Sequence, residues 1–284
     1  MYRILLLVCS FILPLLCVAR DLPHHCGSDK DKIETILGSL KESDLSLGQR
    51  ASVAAEALIG GDEDDYYTSD SIACLRVNVD SFTPLMFVNT VVALAKASEN
   101  PGLVDVNTFE NEFESVACRR GENRGFPSIM YHSSDWIGDN MARGNITELT
   151  ENYNGVVART KSLDEMTRYR KNFAALADSA TFESVRMTEM GFRTHRVPSL
   201  KKETIKKKEL VEDLQDGDIL ILVPNRDGID IYDMGFVKFE NGAPHFIHLN
   251  PHTHKIVKEE EDLARYMALM TKYFQGYRIL RLKD

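Results

Sequence analysis

A hydroxyl, an imidazole and a carboxylate can divide the work of hydrolysing an amide, and this 284-residue chain offers such a set in Ser81 or Thr83, His248 and Asp233. The hydroxyl would attack, the imidazole would take its proton, and the carboxylate would hold the imidazole in one tautomer. Residue types without geometry leave this set as one alternative. His245, His248, His252 and His254 offer a second chemistry, because neutral imidazoles bind zinc. His245 and His248 fall on opposite faces of a strand, and their spacing matches no established zinc pattern. No metal ligands and no cofactor are assigned. Of the five cysteines, Cys9 and Cys17 lie in an N-terminal apolar run, which leaves Cys26, Cys74 and Cys118. Cys74 and Cys118 read as buried small hydrophobes. One bridge with a free thiol, or three buried thiols, are both open.

The elements that position these groups follow from the apolar pattern. Residues 1–19 have a basic Arg3, an apolar run from Ile4 to Leu16 and a small Ala19, which is the layout of a secretory signal peptide. The mature chain is expected to begin near Arg20 and to be exported, periplasmic or extracellular. A lipoprotein reading is disfavoured, because Cys9 and Cys17 each follow bulky apolar residues. Beyond residue 19 no apolar stretch approaches the roughly 20 residues that span a bilayer. With 43 acidic against 34 basic residues and a net charge of −9, nucleic acid and anionic lipid are poor partners. The run Lys201 to Lys208 reads as a solvated helix face.

Lys32 to Leu40 and Ala51 to Ile59 have helical periodicity and are followed by the acidic turn 60–65. Leu75, Val77 and Val79 alternate with polar residues as in a half-buried strand. A helix then starts with Thr83 as N-cap and Pro84 in the first position, where a missing N–H costs nothing. Helices are expected over Phe109 to Cys118, Asp135 to Ala142, Asp164 to Ala177 and Phe182 to Met190, giving a helical middle. Strands are expected over Ile219 to Val223, Ile229 to Phe239, Pro244 to Leu249 and Tyr277 to Leu282, with a helix from Glu261 to Tyr273. The order predicts an α+β fold. Residues 20–66 form a helical N-terminal segment in this reading, and residues 67–284 the main domain.

Six segments carry a family resemblance. Leu75 to Asn89 resembles a strand followed by Asp-Cys-x-Thr-aromatic-Val-Glu, and Tyr131 to Asn140 resembles a Trp-containing signature. Asp216-Gly217-Asp218-Ile219-Leu220 and Gly228 to Phe236 are similar to Asp-Gly-Asp-Ile-Ile and Gly-Leu-Asp-Val-x-His-Val-Gly. Phe246 to Asn250 resembles Leu-Leu-His-Ala-Ser, and Gly276 to Arg281 resembles Gly-Ile-x-hydrophobic-x-Arg. These are marks of the bacterial N-acetylmuramoyl-L-alanine amidase-like family (DUF1460), relatives of the NlpC-type papain-like peptidoglycan hydrolases.

That resemblance implies a papain-like fold, with a nucleophile helix packed on an antiparallel sheet and helical N-terminal and middle insertions. It also implies a cysteine at the helix start, activated by a histidine that a second histidine orients. The three places fall on Pro84, Asp233 and His248. Proline has no nucleophilic atom, and a carboxylate is a poor proton shuttle near neutral pH. Thr83 and Asn89 stand where the family pattern has acids. The chain therefore reads as an exported pseudoenzyme that keeps a cleft for a cell-wall peptide or similar ligand. Thr83, Asn89, Tyr131, Trp136, Asp233 and His248 are the candidate binding residues, with Phe126 as a further aromatic. For Trp136 core packing is the plainer role. The alternatives are a working amidase or peptidase with relocated groups, Ser81, Thr83, Cys74 or Cys118, and a scaffold that binds no small ligand.

Overall fold

The computed structural model describes residues 25–26, 29–41, 44–68, 75–99, 102, 104–270 and 272–284. The signal segment 1–19, the start near Arg20 and Cys74 lie outside them, as does the Cys26 side chain. In chain order come β1 (His25–Cys26), α1 (Lys30–Lys41), α2 (Leu47–Ala57), β2 (Asp62–Glu63), β3 (Leu75–Arg76), β4 (Ser81–Phe82), α3 (Pro84–Ala97) and α4 (Val106–Ala117). The middle holds α5 (Ser133–Ala142), β5 (Ile146–Glu148), β6 (Val156–Lys161), α6 (Glu165–Arg168), α7 (Ser179–Met190) and β7 (His195–Lys201). The last part is α8 (Lys208–Asp213), β8 (Ile219–Pro224), β9 (Asp233–Glu240), β10 (Ala243–Asn250), β11 (Lys255–Lys258), α9 (Leu263–Leu269) and β12 (Phe274–Leu282).

The fold is α+β. Among the described residues one large sheet runs in the order β4-β2-β11-β10-β9-β8-β12-β7-β6, with β5 also paired to β12. Every pairing in it is antiparallel except β2 with β4. The two-residue period of β8 divides the core. Ile219 and Ile221 join the cluster that contains α1, α2 and α3, while Leu220 and Leu222 join Ile205, Leu210 and Tyr266 on the opposite face. Almost the whole of α3 is buried. It lies against the sheet through an edge-to-face contact of Phe87 with Phe236, 5.7 Å between centroids. Ser46 and Gln49 cap α2 reciprocally, at 3.3 and 3.0 Å, which fixes where that helix begins.

The motif residues serve this scaffold. Arg281 donates to both oxygens of buried Asp218, at 2.7 and 2.8 Å, so two motifs far apart in sequence hold each other. Asp230 accepts from the N–H groups of Ser133 and Ser134, at 2.9 and 2.7 Å, and caps α5. Burial opposes the Asp230 charge, yet His132 and the α5 donors keep its carboxyl below the usual range. Gly235 lets β9 and β10 meet, since a Cβ there would lie 2.1 Å from the Ile247 carbonyl oxygen.

The middle carries strands as well as helices. β5, β6 and β7 occupy a region read from sequence as helical, and β6 is a sheet edge with Val156, Val157 and Ala158 all half-buried and Arg159 and Thr160 exposed, so its apolar alternation is weak. The helix expected over Asp164 to Ala177 breaks after α6 into short 3-10 turns. Glu189 on α7 accepts from Met166 N and Thr167 N, at 3.0 and 2.9 Å, and so caps α6 through a tertiary contact. Residues 229–232 are not strand, and β9 starts at Asp233. The helix expected from Glu261 to Tyr273 is confined to Leu263–Leu269. The run Lys201 to Lys208 is no single helix, because a 3-10 turn over Lys202–Lys206 separates β7 from α8.

Candidate functional site

Thr83 ends the short β4 and turns the chain into α3. Its hydroxyl accepts from Met86 N at 3.3 Å, and Pro84 takes the first helical position. The start of α3, represented by Thr83, Pro84 and Leu85, borders a cleft of ≈ 370 Å³. Glu63, Asp64 and Asp65 line it on the β2 turn, with Tyr67 and Tyr131. Arg226, Ile229, Ile231 and Tyr232 line it from the loop before β9. The cleft thus combines carboxylates, a guanidinium, aromatic rings and aliphatic surface. Tyr131 is held by edge contacts with Tyr67 and Phe173, at 5.0 and 5.6 Å.

His248 and Asp233 lie behind this surface. Their side chains are 0% and 2% exposed, and neither lines the cleft. Asp233 bonds to His248 Nδ1, and Glu259 bonds to His248 Nε2 at 2.8 Å. Asp233 also accepts from Met234 N at 2.7 Å, and Glu259 from Asn250 Nδ2 at 2.7 Å. Phe246 stacks on the His248 ring at 4.5 Å and Tyr266 meets it at 5.1 Å. Burial alone would push the imidazole toward neutrality, but the Asp233 and Glu259 carboxylates outweigh it and raise the pKa to about 9. Glu259 is held below the usual carboxylate range by its bond to His248. Near neutral pH both ring nitrogens therefore donate, and the ring has no lone pair with which to accept a proton.

Glu259 was not among the residues singled out from sequence, where it sits in the run Glu259-Glu260-Glu261 and reads as surface charge. The β10–β11 register carries the missing signal. Ile247 pairs with Lys258, so the next residue arrives beside Phe246, to whose carbonyl Glu259 N donates at 2.9 Å.

The other candidates separate into cleft and core. Thr83, Pro84 and Tyr131 line the cleft. Asn89 and Trp136 are buried and joined by a 2.8 Å bond from the indole Nε1 to the Asn89 side-chain Oδ1. Phe126 borders a separate void of ≈ 20 Å³ with His132 and Glu189. Ser81 donates to Asp64 Oδ2 at 2.8 Å and accepts from Asn78 at 2.7 Å, so its hydroxyl is engaged away from His248. Cys118 is a buried free thiol, which burial, with Glu114 next, pushes up to about 12. The four histidines do not converge. His245 Nδ1 bonds to the Glu259 carbonyl oxygen at 3.0 Å, His252 is exposed, and His254 bonds to Glu63. Among the described residues no group of three or more His, Cys, Asp or Glu side chains is arranged to hold a metal ion.

The fold is that of solved amidase-like proteins. An N-acetylmuramoyl-L-alanine amidase from Bacteroides uniformis superposes with a TM-score of 0.72 at 20% identity, over 84% of this chain and 99% of that one. A candidate xylanase from Bacteroides fragilis gives 0.70 at 22% identity, over 80% and 99%. Protein LPG0564 from Legionella pneumophila, of the DUF1460 family, gives 0.69 at 15% identity, over 90% and 94%. No curated protein matches the chain in sequence. The profile of the AmiA-like, N-acetylmuramoyl-L-alanine amidase-like family matches residues 54–272, and the chain belongs to that family.

Proposed function

We propose that this chain is an exported, non-hydrolytic member of the amidase-like family, whose cleft binds a peptidoglycan stem peptide or a similar peptide without cutting it. One observation carries the reading. Where the family resemblance asks for a thiol there is Pro84, and the imidazole that remains, His248, is clamped as a cation between Asp233 and Glu259. The site thus lacks an attacking atom and a proton acceptor together. The open cleft favours binding over a bare scaffold, because ≈ 370 Å³ is not filled by the chain's own side chains. Asp65 suits a ligand amine, Arg226, which Glu165 holds at 2.9 and 3.0 Å, a carboxylate, and Tyr131 and Tyr232 the aliphatic parts between. In this reading the segment 20–66 contributes the acidic wall and the domain 67–284 the rest.

The signal layout of residues 1–19 supports export. Among the described residues no helix is long and apolar enough to cross a membrane.

Equilibrium dialysis of the mature chain against a peptidoglycan digest, with mass spectrometry on both chambers, tests the reading. Intact peptide fragments should accumulate beside the protein, and Ile231→Trp, which fills the cleft, should abolish the enrichment. Cleaved products, or enrichment that Ile231→Trp leaves unchanged, would overturn it.

A further inference from the structure

On the α4 side of the molecule, three arginines fall within six residues of a chain that is acidic overall. Arg119, Arg120 and Arg124 line a cavity of ≈ 250 Å³, together with Pro127, Ser128 and Ser184 of α7. We propose that this cavity, distinct from the cleft at Pro84, binds a small phosphomonoester through these guanidinium groups.

The arginines have different degrees of freedom. Arg119 is anchored, with its fork on Asp135 and Nη1 donating to the Pro127 carbonyl at 2.8 Å. Arg124 pairs with Glu122, but the two side chains are 66% and 60% exposed, so water screens the pair and an incoming dianion displaces it readily. The guanidinium of exposed Arg120 has no carboxylate partner among the described residues. Asp139 is engaged by Arg143 and by Arg120 N at 2.7 Å, and Glu114 accepts from Asn123 N at 2.9 Å.

The backbone at Arg120 gives an independent pointer. Its φ is 62°, in the left-handed region where a glycine would be free and an arginine is strained, and Gly121 follows at 73°. A strained residue whose backbone N–H is fixed by donation to Asp139 is the kind of feature that accompanies ligand clamps. Ser128 preorganises the wall, since its hydroxyl donates to the Gly125 carbonyl at 2.7 Å and accepts from Arg124 N at 2.9 Å. Planar guanidinium forks suit the several oxygens of a phosphate. The volume exceeds what a bare oxyanion needs, so the ligand carries a small organic part.

The test is calorimetric titration of the full mature chain at low ionic strength with a hexose phosphate, inorganic phosphate and the unphosphorylated hexose. Binding of the hexose phosphate should be tightest, weaken with added salt, and be absent for the neutral sugar. Arg120→Gly removes the guanidinium while relieving the backbone, so affinity should fall by at least about tenfold with an unchanged or higher melting temperature. Arg124→Ala should weaken binding in the same direction. No binding of the hexose phosphate at low salt, equal affinity for inorganic phosphate, or an unaltered affinity in Arg120→Gly would each overturn the proposal.

Discussion

Raising the pH should undo the clamp on His248, and the size of the effect follows from its position. In the unfolded chain the imidazole titrates near 6.5, and in the folded chain at about 9. Between those values the folded protein holds a proton that the unfolded chain has released, so stability falls as pH rises. This contribution is complete below pH 6.5 and is lost on passing through pH 9. The interval corresponds to about 3 kcal/mol, or about 6–12 °C in melting temperature for a domain of this size. His195 is shifted downward, chiefly by burial, so its contribution lies below pH 6.5 and does not enter the window. The buried Cys118 thiol adds to the loss only near and above the ordinary thiol range. Urea unfolding at half-unit steps from pH 6.5 to 9 should therefore show a steady decline. His248→Gln, less stable overall, should be nearly flat across the same range, and Glu259→Gln should shrink the decline. A wild-type curve that is flat over the window, or a slope that survives in His248→Gln, would refute the reasoning.

Three further outcomes follow from the geometry. Gly235→Ala should destabilise by at least about 3 kcal/mol in chemical unfolding, because its Cβ would meet the Ile247 carbonyl and His248 rather than a yielding side-chain tip. In Pro84→Cys the new thiol sits at the first position of α3, and its alkylation rate against pH should report a pKa below about 8.5. In the proposed reading Asp233 stands at the base position, so that variant should still hydrolyse nothing, and the added change Asp233→His is expected to supply a base. Alkylation mapped to Cys118 at pH 8 should be about a thousandfold slower in the folded protein than in urea, as expected for a buried thiol pushed up to about 12.

The hairpins β8, β9 and β10 and the start of α3 were legible in the sequence because each rests on local physics. Ile219 to Val223 has the length and composition of a buried strand, Asn241-Gly242 is a turn dipeptide, and Thr83-Pro84 is a helix start. Other elements depend on distant partners. The start of α6 depends on Glu189, and β7 runs through a proline at position 198 that argues locally against a strand. Glu259 looked like surface charge because only the β10–β11 register takes it to His248. Asp233 pointed to the right neighbour, His248, but the Phe246 and Tyr266 rings pack on the His248 imidazole, which no strand period reveals. The motif residues were legible as a set, while their division of labour was not. Asp218, Asp230 and Trp136 hold the scaffold through Arg281, α5 and Asn89. Pro84, Thr83 and Tyr131 border the cleft.

The proposed loss of hydrolysis rests on the absence of a thiol at Pro84 and of a proton-accepting imidazole at His248, and its direct measurement is prolonged incubation of the purified mature chain, at substrate-like concentration, with defined muramyl peptides followed by mass spectrometry. The expected product profile is identical to that of a protein-free blank. Release of free stem peptide that grows with protein concentration and disappears in His248→Gln would contradict it.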